Sequence, residues 1–389
     1  MRGLALIVRA GAVVCASAFL LTLLVHGAPK PAVASSEVAP RAASTTAGTA
    51  AAKAKGKAKA KKAATRRGAK KPPPGVVAVV ATGDIVMGST PNLPPDGGRS
   101  FFSDVQTDLA GDVVLGNLEG TLSSGGSSKC GKNSTNCFAF HTPPSYARWL
   151  AAAGFTVMNL ANNHAMDYGQ QGLDQTIRAL EHAGLRYTGR PDQITVQKVG
   201  AIRVAIVGFA PYPWAASLTD VAAAKRLVRA ADRAADVVVV TMHAGAEGSD
   251  RQHVRPGTER FLGENRGDPI RFAHAVVDAG ADLVVGSGPH VLRGMEWYKH
   301  RLIAYSLGNF AGYKVFSLGG PLSTSAILRV TLAGDGSFET GRIVPTHLVG
   351  SGVPALDPSE SAHGLIRTLS REDFGRRAVT ITPDGFLTR

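Results

Sequence analysis

Cysteine is scarce in this chain, and its scarcity limits the kinds of site the sequence can build. Only three cysteines occur among 389 residues, which excludes a Cys-rich structural zinc site. Cys15 lies inside an apolar run, without the surroundings of a lipoprotein cysteine. Cys130 and Cys137 occur together in the loop sequence CGKNSTNC. We expect these two thiols to form a disulfide, with a metal site as the alternative.

Acidic residues are nearly absent from the first 75 positions, which contain 14 Lys and Arg but only one acid, Glu37. The other 314 residues contain 29 basic and 28 acidic groups, so the folded part is close to neutral. This balance argues against nucleic-acid binding by the folded part. Residues 35–75 have no apolar periodicity and are predicted to be a disordered basic linker. The linker is either a solvated spacer or, through Lys53–Lys71, a contact for anionic lipid or an anionic envelope polymer.

The N-terminal apolar run is shorter than an ordinary membrane span. Ala10–Val25 supplies about 16 residues after Arg9, whereas a spanning helix needs about 20. A small-residue triplet at 32–34 has the pattern of a cleavage site. Residues 1–34 are therefore either a cleaved signal peptide or a retained single-helix membrane anchor. Both alternatives predict an extracytoplasmic protein, membrane-anchored or secreted.

No internal repeat is visible, and strand-like and helix-like segments alternate after residue 75. The strand-like runs are apolar throughout and end in polar or Gly-containing segments: VVAVVATGD, DVVLGNLEG, FTVMNLANNH, RVAIVGFAPY, DVVVVTMHAGAE and ADLVVGSGPH. The helix-like segments have apolar residues three and four apart: PPSYARWLAAAG, QQGLDQTIRALEHAG, VAAAKRLVRAADRA and PIRFAHAVVDAG. This alternation predicts an α/β architecture whose strands are covered by helices. We expect a domain over 76–350, β-rich over 301–345, followed by a C-terminal extension of the domain, 351–389.

Polar side chains follow the predicted strands at the points where those strands end. Because ligands of α/β sheets bind at the carboxyl ends of the strands, we expect these side chains to converge. Their mixture of carboxylates, amides and imidazoles suits one or two divalent ions of Mn, Fe or Zn rather than Ca²⁺. The predicted group is Asp84, Asn117, Glu119, Asn162, Asn163, His164, His243, Glu247 and His290.

Other candidate residues are interpreted structurally. His141, His182 and His274 lie in helical or pre-proline segments and are predicted to be surface or structural residues. Asp167 and Gly169 are predicted to begin the helix that follows the ANNH sequence.

Several of these stretches together resemble the CapA family of poly-γ-glutamate capsule synthesis proteins, which is similar to the calcineurin-like metallophosphoesterases. The resemblance covers about 76–350 and implies a metallophosphoesterase-like layered α/β sandwich. The matching stretches are GDIVMG, GNLEG, GLDQTIRALEHAG, LANNHAMDYG, MHAGAE and GSGPHVLRGMEWYKHRLIAYSLGNF.

The resemblance also implies roles for the residues at the strand ends. His164 and Asn163 are the implied catalytic residues, with His164 as a donor to the transition state. Residues implied to support the ligands from behind are Asn117, Asn162 and Glu247. The implied metal ligands are Asp84, Glu119, Asn163, His243 and His290.

The sequence departs from the phosphoesterase pattern at two positions. Val86 stands where those enzymes have a histidine two residues after the first Asp, and Ser287-Gly288 precede Pro289-His290 where another histidine is expected. A single-ion site is therefore an alternative to a two-ion site.

Three functions follow from these observations. The resemblance implies a capsule or poly-γ-glutamate biosynthesis or export factor, with metal-dependent hydrolase-type chemistry on an anionic γ-glutamyl or other envelope polymer. The first alternative is a non-catalytic module that binds a polymer or the envelope on a phosphoesterase scaffold. The second is an exported metal-dependent phosphatase, for which Arg293 and Lys299 near His290 are candidate phosphate contacts.

Overall fold

The computed structural model describes residues 72–131, 134 and 137–389. The predicted signal or anchor, 1–34, and the linker as far as residue 71 lie outside these described residues. In the part of the chain that is described, no helix is long and apolar enough to cross a membrane.

The described residues form twenty strands and five α-helices, numbered in chain order. Strands β1–β10 are Val76–Val86, Val113–Leu118, Thr121–Leu122, His141–Thr142, Val157–Asn159, Arg186–Thr188, Thr195–Val199, Ile202–Phe209, Val237–His243 and Arg260–Phe261. Strands β11–β20 are Glu264–Asn265, Leu283–Ser287, Met295–Tyr298, Arg301–Ala304, Asn309–Gly312, Thr324–Ala333, Phe338–Val349, Val353–Leu356, Thr380–Ile381 and Leu387–Thr388. Helices α1–α5 are Ala147–Ala153, Gly169–His182, Val221–Ala234, Pro269–Ala279 and Ser361–Phe374.

Two large sheets organise these elements. The first sheet has the order β18-β17-β16-β1-β2-β5-β6, with β15 also paired to β1. The second sheet has the order β13-β14-β12-β9-β8-β7. The central strands of both sheets run parallel: β1 with β2 and β5 in the first, and β8 with β9 and β12 in the second.

The two sheets pack face to face, with helices on their outer faces. Successive strand residues point to opposite faces, so Val79 of β1 enters the core between the sheets and Val80 packs on the side of α1 and α2. In β9, Val239 faces the other sheet, whereas Val240 joins the core beneath α3 and α4. The predicted α/β sandwich of helix-covered strands is confirmed, and this layering explains why the strands are apolar on both faces.

The helix boundaries follow local capping chemistry. Asp220 accepts a hydrogen bond from the Ala223 amide and begins α3, and Asp268 does the same for Arg271 at the start of α4. Gly154 adopts a left-handed conformation, with φ 110°, and ends α1.

One predicted strand and one predicted helix start differ from the structure. The strand predicted in FTVMNLANNH contains only Val157–Asn159, because the Asn159 side chain accepts a bond from the Ala161 amide and the chain turns there. Helix α2 begins at Gly169 as predicted, but Asp167 is not part of its first turn.

Residues 351–389 provide β18, α5, β19 and β20. Ala362 and Ile366 of α5, with Ile381 of β19 and Leu387 of β20, belong to the core between the two sheets. These last residues therefore close one side of the sandwich.

Candidate metal centre

Three metal-binding side chains meet at the carboxyl ends of the parallel strands. Asp84 lies near the end of β1, Glu119 directly follows β2, and His290 lies in the loop after β12. One ligand atom from each lies within 4.8 Å of the others. His290 Nδ1 is 3.1 Å from Asp84 Oδ2, and His290 Nε2 is 3.7 Å from Glu119 Oε1. The chain thus offers two carboxylates and one imidazole to a single small volume.

Glu119 is the unusual member of this group, because it is 0% exposed and neither carboxylate oxygen accepts a hydrogen bond from the described residues. Burial, followed by the charge of Asp84, raises the pKa of Glu119 well above its ordinary value. The buried side-chain oxygen of Asn163 also lacks a hydrogen-bond donor. Buried polar atoms without partners are costly. A divalent cation such as Mn, Fe or Zn fits this set of donor atoms, because it takes lone pairs from carboxylate, imidazole and amide groups.

A network of buried amides supports the carboxylates from behind. Asn117 donates to Asp84 Oδ1 at 2.8 Å. Its own oxygen accepts from Asn159 at 2.9 Å and from Asn162 at 3.1 Å. Asn117 therefore supports the carboxylate of Asp84 directly, and Asn162 supports Asn117. Asn159 was missed by the sequence analysis, although it begins the same NLANNH stretch.

His290 is held in an unusual backbone conformation, with φ 62°. Its Nδ1–H donates to the Asn309 side-chain oxygen at 2.9 Å. This leaves Nε2 facing the carboxylates of Glu119 and Glu247, at 3.7 and 3.6 Å. Asn309 fixes the orientation of the ring in the way that outer hydrogen bonds orient metal-binding histidines. It lies in YSLGNF, where sequence analysis assigned no role to it.

His243 ends β9 and is completely buried, at 0% exposure. Its Nε2 is 3.6 Å from Glu119 Oε1 but only 3.1 Å from Arg266 Nη2. Burial, reinforced by the charge of Arg266, lowers the pKa of His243 well below its ordinary value. The neutral ring accepts from the guanidinium at Nε2, since a guanidinium has only donors. Its Nδ1 lies 3.3 Å from the Asn117 amide nitrogen and 3.4 Å from Ser287 Oγ.

Arg266 is 0% exposed and was missed by the sequence analysis. It lies in the loop before α4, where neither a strand end nor a recognisable motif marks it. Its Nη1 donates to Glu247 at 2.7 Å. Glu247 also lies 3.4 Å from the Asn163 amide nitrogen. Burial alone would raise the pKa of Glu247. The hydrogen bond and charge of His290, with the charge of Arg266, outweigh burial and lower this pKa to about 2.

His164 forms a pair with Asp167 beside these groups. Its Nδ1–H donates to Asp167 Oδ2 at 2.8 Å, and burial, partly opposed by Asp167, lowers the pKa of His164. The prediction that Asp167 begins the next helix was wrong, because its carboxylate turns back and also pairs with Lys129 at 2.7 Å. The neutral ring keeps Nε2 free as a proton acceptor.

The cysteine loop lies next to this pair. Cys130 and Cys137 form a disulfide with their Cα atoms 5.5 Å apart. Lys129 precedes it, and the Phe140 ring lies 4.5 Å from the ring of His164. Lys129 and Phe140, which flank the disulfide, therefore border the His164 side of the site.

The remaining candidate residues lie apart from the metal-binding group. Arg293 is buried and forms a bidentate pair with Glu259, and Lys299 pairs with Asp278. Neither is free to act as a phosphate clamp. His182 is exposed on α2, His141 packs on Tyr168 at 4.2 Å, and His274 binds Glu296 at 2.5 Å.

Comparison with known proteins gives a consistent family assignment. Residues 78–314 match the family model described as bacterial capsule synthesis protein PGA_cap. The PGA biosynthesis protein CapA of Bacillus subtilis is 30% identical over 334 residues, covering 76% of this chain and 78% of that protein. The capsule biosynthesis protein CapA of Bacillus anthracis is 38% identical over 178 residues, which are 41% of this chain and 40% of that relative's length.

Among solved structures, a putative 5′-nucleotidase from Staphylococcus aureus is 14% identical with a TM-score of 0.41, covering 76% of this chain and 58% of that one. The family assignment rests instead on the sequence matches, which include the strands that carry Asp84, Glu119 and His243, and also His290. The chain belongs to the bacterial capsule synthesis protein family PGA_cap, the family of the CapA-like accessory proteins of capsule and poly-glutamate synthesis.

Proposed function

We propose that this protein acts outside the cytoplasm in the synthesis or export of an anionic envelope polymer of the γ-glutamyl type, through a divalent-cation site at Asp84, Glu119 and His290. The observation that carries this proposal is the environment of Glu119, a completely buried carboxylate without a single hydrogen-bond donor. A bound cation would satisfy that carboxylate, to which none of the described residues donates a hydrogen bond.

The proposed chemistry is hydrolytic. A divalent cation bound here would supply Lewis-acid polarisation and a more acidic water. Asp84 and Glu119 would hold the ion. His290, oriented by Asn309, would bind it as a third ligand. His164 would accept a proton at Nε2, since its Nδ1–H is fixed by Asp167.

Three observations support an anionic polymer as the partner. The family assignment supports a role in capsule polymer synthesis, and the B. subtilis relative is named for PGA biosynthesis. The basic tail with Lys53–Lys71 has the charge needed to contact a polyanion. The predicted export segment would place both parts of the chain where an envelope polymer is found.

Incubation of the full-length chain with Mn²⁺ and poly-γ-glutamate tests the proposal. Polymer length is followed by size-exclusion chromatography. We expect shortening with the wild type, no shortening with His164→Ala, and unchanged shortening with His182→Ala, an exposed histidine on α2 that serves as the matched control. No shortening at any Mn²⁺ concentration would contradict the hydrolytic proposal.

A non-catalytic polymer-binding module is the second candidate. It is favoured by the two departures from the phosphoesterase pattern, since Val86 is a buried apolar side chain and Ser287 only contacts His243. This candidate predicts polymer binding in EDTA that weakens steeply with salt and disappears when residues 53–71 are deleted.

The phosphatase alternative is less well supported, because Arg293 and Lys299 are engaged elsewhere. It predicts hydrolysis of an aryl phosphate in the same buffer.

A further inference from the structure

The position of His243 raises the question of how many ions the site binds. The resemblance implies that His243 is a metal ligand, but its Nε2 lies 3.1 Å from Arg266 Nη2. A guanidinium stays protonated in proteins and offers only donors. The Asn117 amide nitrogen faces Nδ1 at 3.3 Å, so each ring nitrogen of His243 meets an N–H donor of the chain. The closer of the two donors, Arg266, occupies the side of Nε2 that a metal ion would need.

Arg266 is fixed in this position by its other contacts. Its Nε donates to the Gly245 carbonyl at 3.1 Å, and its Nη1 donates to the Tyr212 hydroxyl at 2.8 Å and to Glu247 at 2.7 Å. Its Nη2 faces the Gly288 carbonyl at 3.5 Å as well as His243. The guanidinium is thus held on every side by acceptors. Rotating the guanidinium away to admit an ion would leave its buried positive charge without acceptors.

The charges at the site lead to the same conclusion. Asp84, Glu119 and Glu247 converge on His290. Arg266 adds one permanent positive charge against these three carboxylates. With His290 neutral as a ligand, the excess of about two negative charges is balanced by one divalent cation, whereas a second ion would leave the buried site with excess positive charge.

We propose that the guanidinium of Arg266 takes the place of a second divalent cation, so that the site binds one ion and His243 is not a ligand to it. This inference rests on the proposed cation site and adds its stoichiometry. Arg266 is a positioning residue, because it contacts His243 and Glu247 and holds both by hydrogen bonds. Removing its charge would release the lone pair of His243 beside Glu119, 3.6 Å away, and so create a second ion site.

Equilibrium dialysis of Mn²⁺ against the full-length chain, combined with electron paramagnetic resonance, tests this inference. For the wild type we expect one Mn²⁺ per chain, with the hyperfine-resolved spectrum of an isolated ion. Arg266→Gln is expected to bind a second Mn²⁺ and to lose that spectrum through coupling between the ions. Arg266→Lys, which keeps the charge, and Arg260→Gln, an exposed arginine, are expected to bind one.

His243→Gln gives a second test that does not depend on the folding of the Arg266 variants. If His243 is not a ligand, Mn²⁺ affinity falls by no more than the 10–100-fold typical of outer-sphere partners, whereas loss of a direct ligand costs more than about 100-fold. Two ions per wild-type chain, or a loss of more than 100-fold in His243→Gln, would overturn the inference and leave the cation site intact. No Mn²⁺ bound by the wild type would overturn the cation site itself, and the inference with it.

Discussion

Glu119 and Glu296 are both glutamates with 0% exposure, but the chain surrounds them differently. Oε1 of Glu296 accepts from His274 at 2.5 Å and from the Tyr305 hydroxyl at 2.6 Å, and its Oε2 lies 3.3 Å from Arg377 Nε. Glu119 has the two imidazoles of His243 and His290 at 3.6 and 3.7 Å and no donor within hydrogen-bond distance.

This difference distinguishes a structural carboxylate, Glu296, from a proposed metal ligand, Glu119. A buried carboxylate is tolerated when hydrogen-bond donors replace the lost water. Glu296 obtains two donors for Oε1 from its own chain, whereas its buried Oε2 has the Arg377 ion pair but no hydrogen bond from the described residues. These contacts tie α4 and β13 to the segment that follows α5. Neither oxygen of Glu119 has a hydrogen-bond donor among the described residues, and this is the basis for the proposal that Glu119 binds a cation.

Asp357 is a third buried carboxylate, and it accepts more hydrogen bonds than Glu119 or Glu296. It accepts from the amide and hydroxyl of Ser359 and from the amide and hydroxyl of Ser361, at 2.5–3.1 Å. Burial works against its ionisation, but these bonds lower its pKa to about 2. The number of donors around a buried carboxylate therefore predicts its role in this protein.

The largest effect on stability is expected for Glu296→Ala, which leaves His274, Tyr305 and Arg377 without their acceptor. Removing one partner of a buried charged pair costs about 3–5 kcal/mol of unfolding free energy, measured by urea unfolding in EDTA. Mn²⁺ affinity is expected to stay within about twofold of wild type, as for the exposed control Glu339→Ala. A large loss of Mn²⁺ affinity in Glu296→Ala would show that Glu296, like Glu119, contributes to metal binding.

His164 and His274 are both paired with buried carboxylates, but substitution of the two should affect the rate of polymer shortening differently. His164→Ala is expected to slow polymer shortening by about 10²–10⁴-fold, because it removes the proton acceptor. His274→Ala is expected to leave the rate unchanged and to cost about 1–3 kcal/mol, since Glu296 loses a buried donor. Both variants are measured by chromatography of the polymer and by urea unfolding. Equal losses of rate in the two would contradict the comparison.

The smallest effect is expected for Asp357→Asn, and it depends on pH. The pKa of Asp357 falls from its ordinary value of 3.8 to about 2 in the folded chain, so its stabilisation is complete above about pH 5. As pH falls from 3.8 towards 2, the folded state loses that advantage. Urea unfolding should show wild type more stable by about 1–2 kcal/mol at neutral pH, with the difference vanishing near pH 2. The exposed control Asp384→Asn should show no such dependence.

The part of the fold that the sequence predicts is the part with strong periodicity. The apolar runs at β1, β8, β9 and β12 and the amphipathic pattern of α3 have the predicted positions, because burial on two faces or on one stripe leaves a clear pattern. Helix α5 was not predicted. Its polar residues hide the few apolar ones, Ala362 and Ile366 among them, that enter the core between the sheets.

The candidate site was predictable where a residue lies at the carboxyl end of a strand or in the loop just after it. Asp84, Glu119 and His290 come together for that reason, since the carboxyl ends of parallel strands share one edge. Arg266 was not predictable, because a long side chain reaches the site from a loop that precedes α4. Asp167 was assigned to the next helix because its contact with His164, three residues earlier, depends on a loop conformation that no periodicity reveals.

The central claim, that Glu119 is a cation ligand, is tested most directly by the Mn²⁺ dependence of unfolding in wild type and Glu119→Gln. At a Mn²⁺ concentration about 100 times the dissociation constant, wild type should gain about 2.7 kcal/mol over its value in EDTA. Glu119→Gln should be at least as stable as wild type in EDTA, because the unpartnered charge is gone, and should gain almost nothing from Mn²⁺. A Glu119→Gln variant that Mn²⁺ stabilises as strongly as wild type would contradict the account.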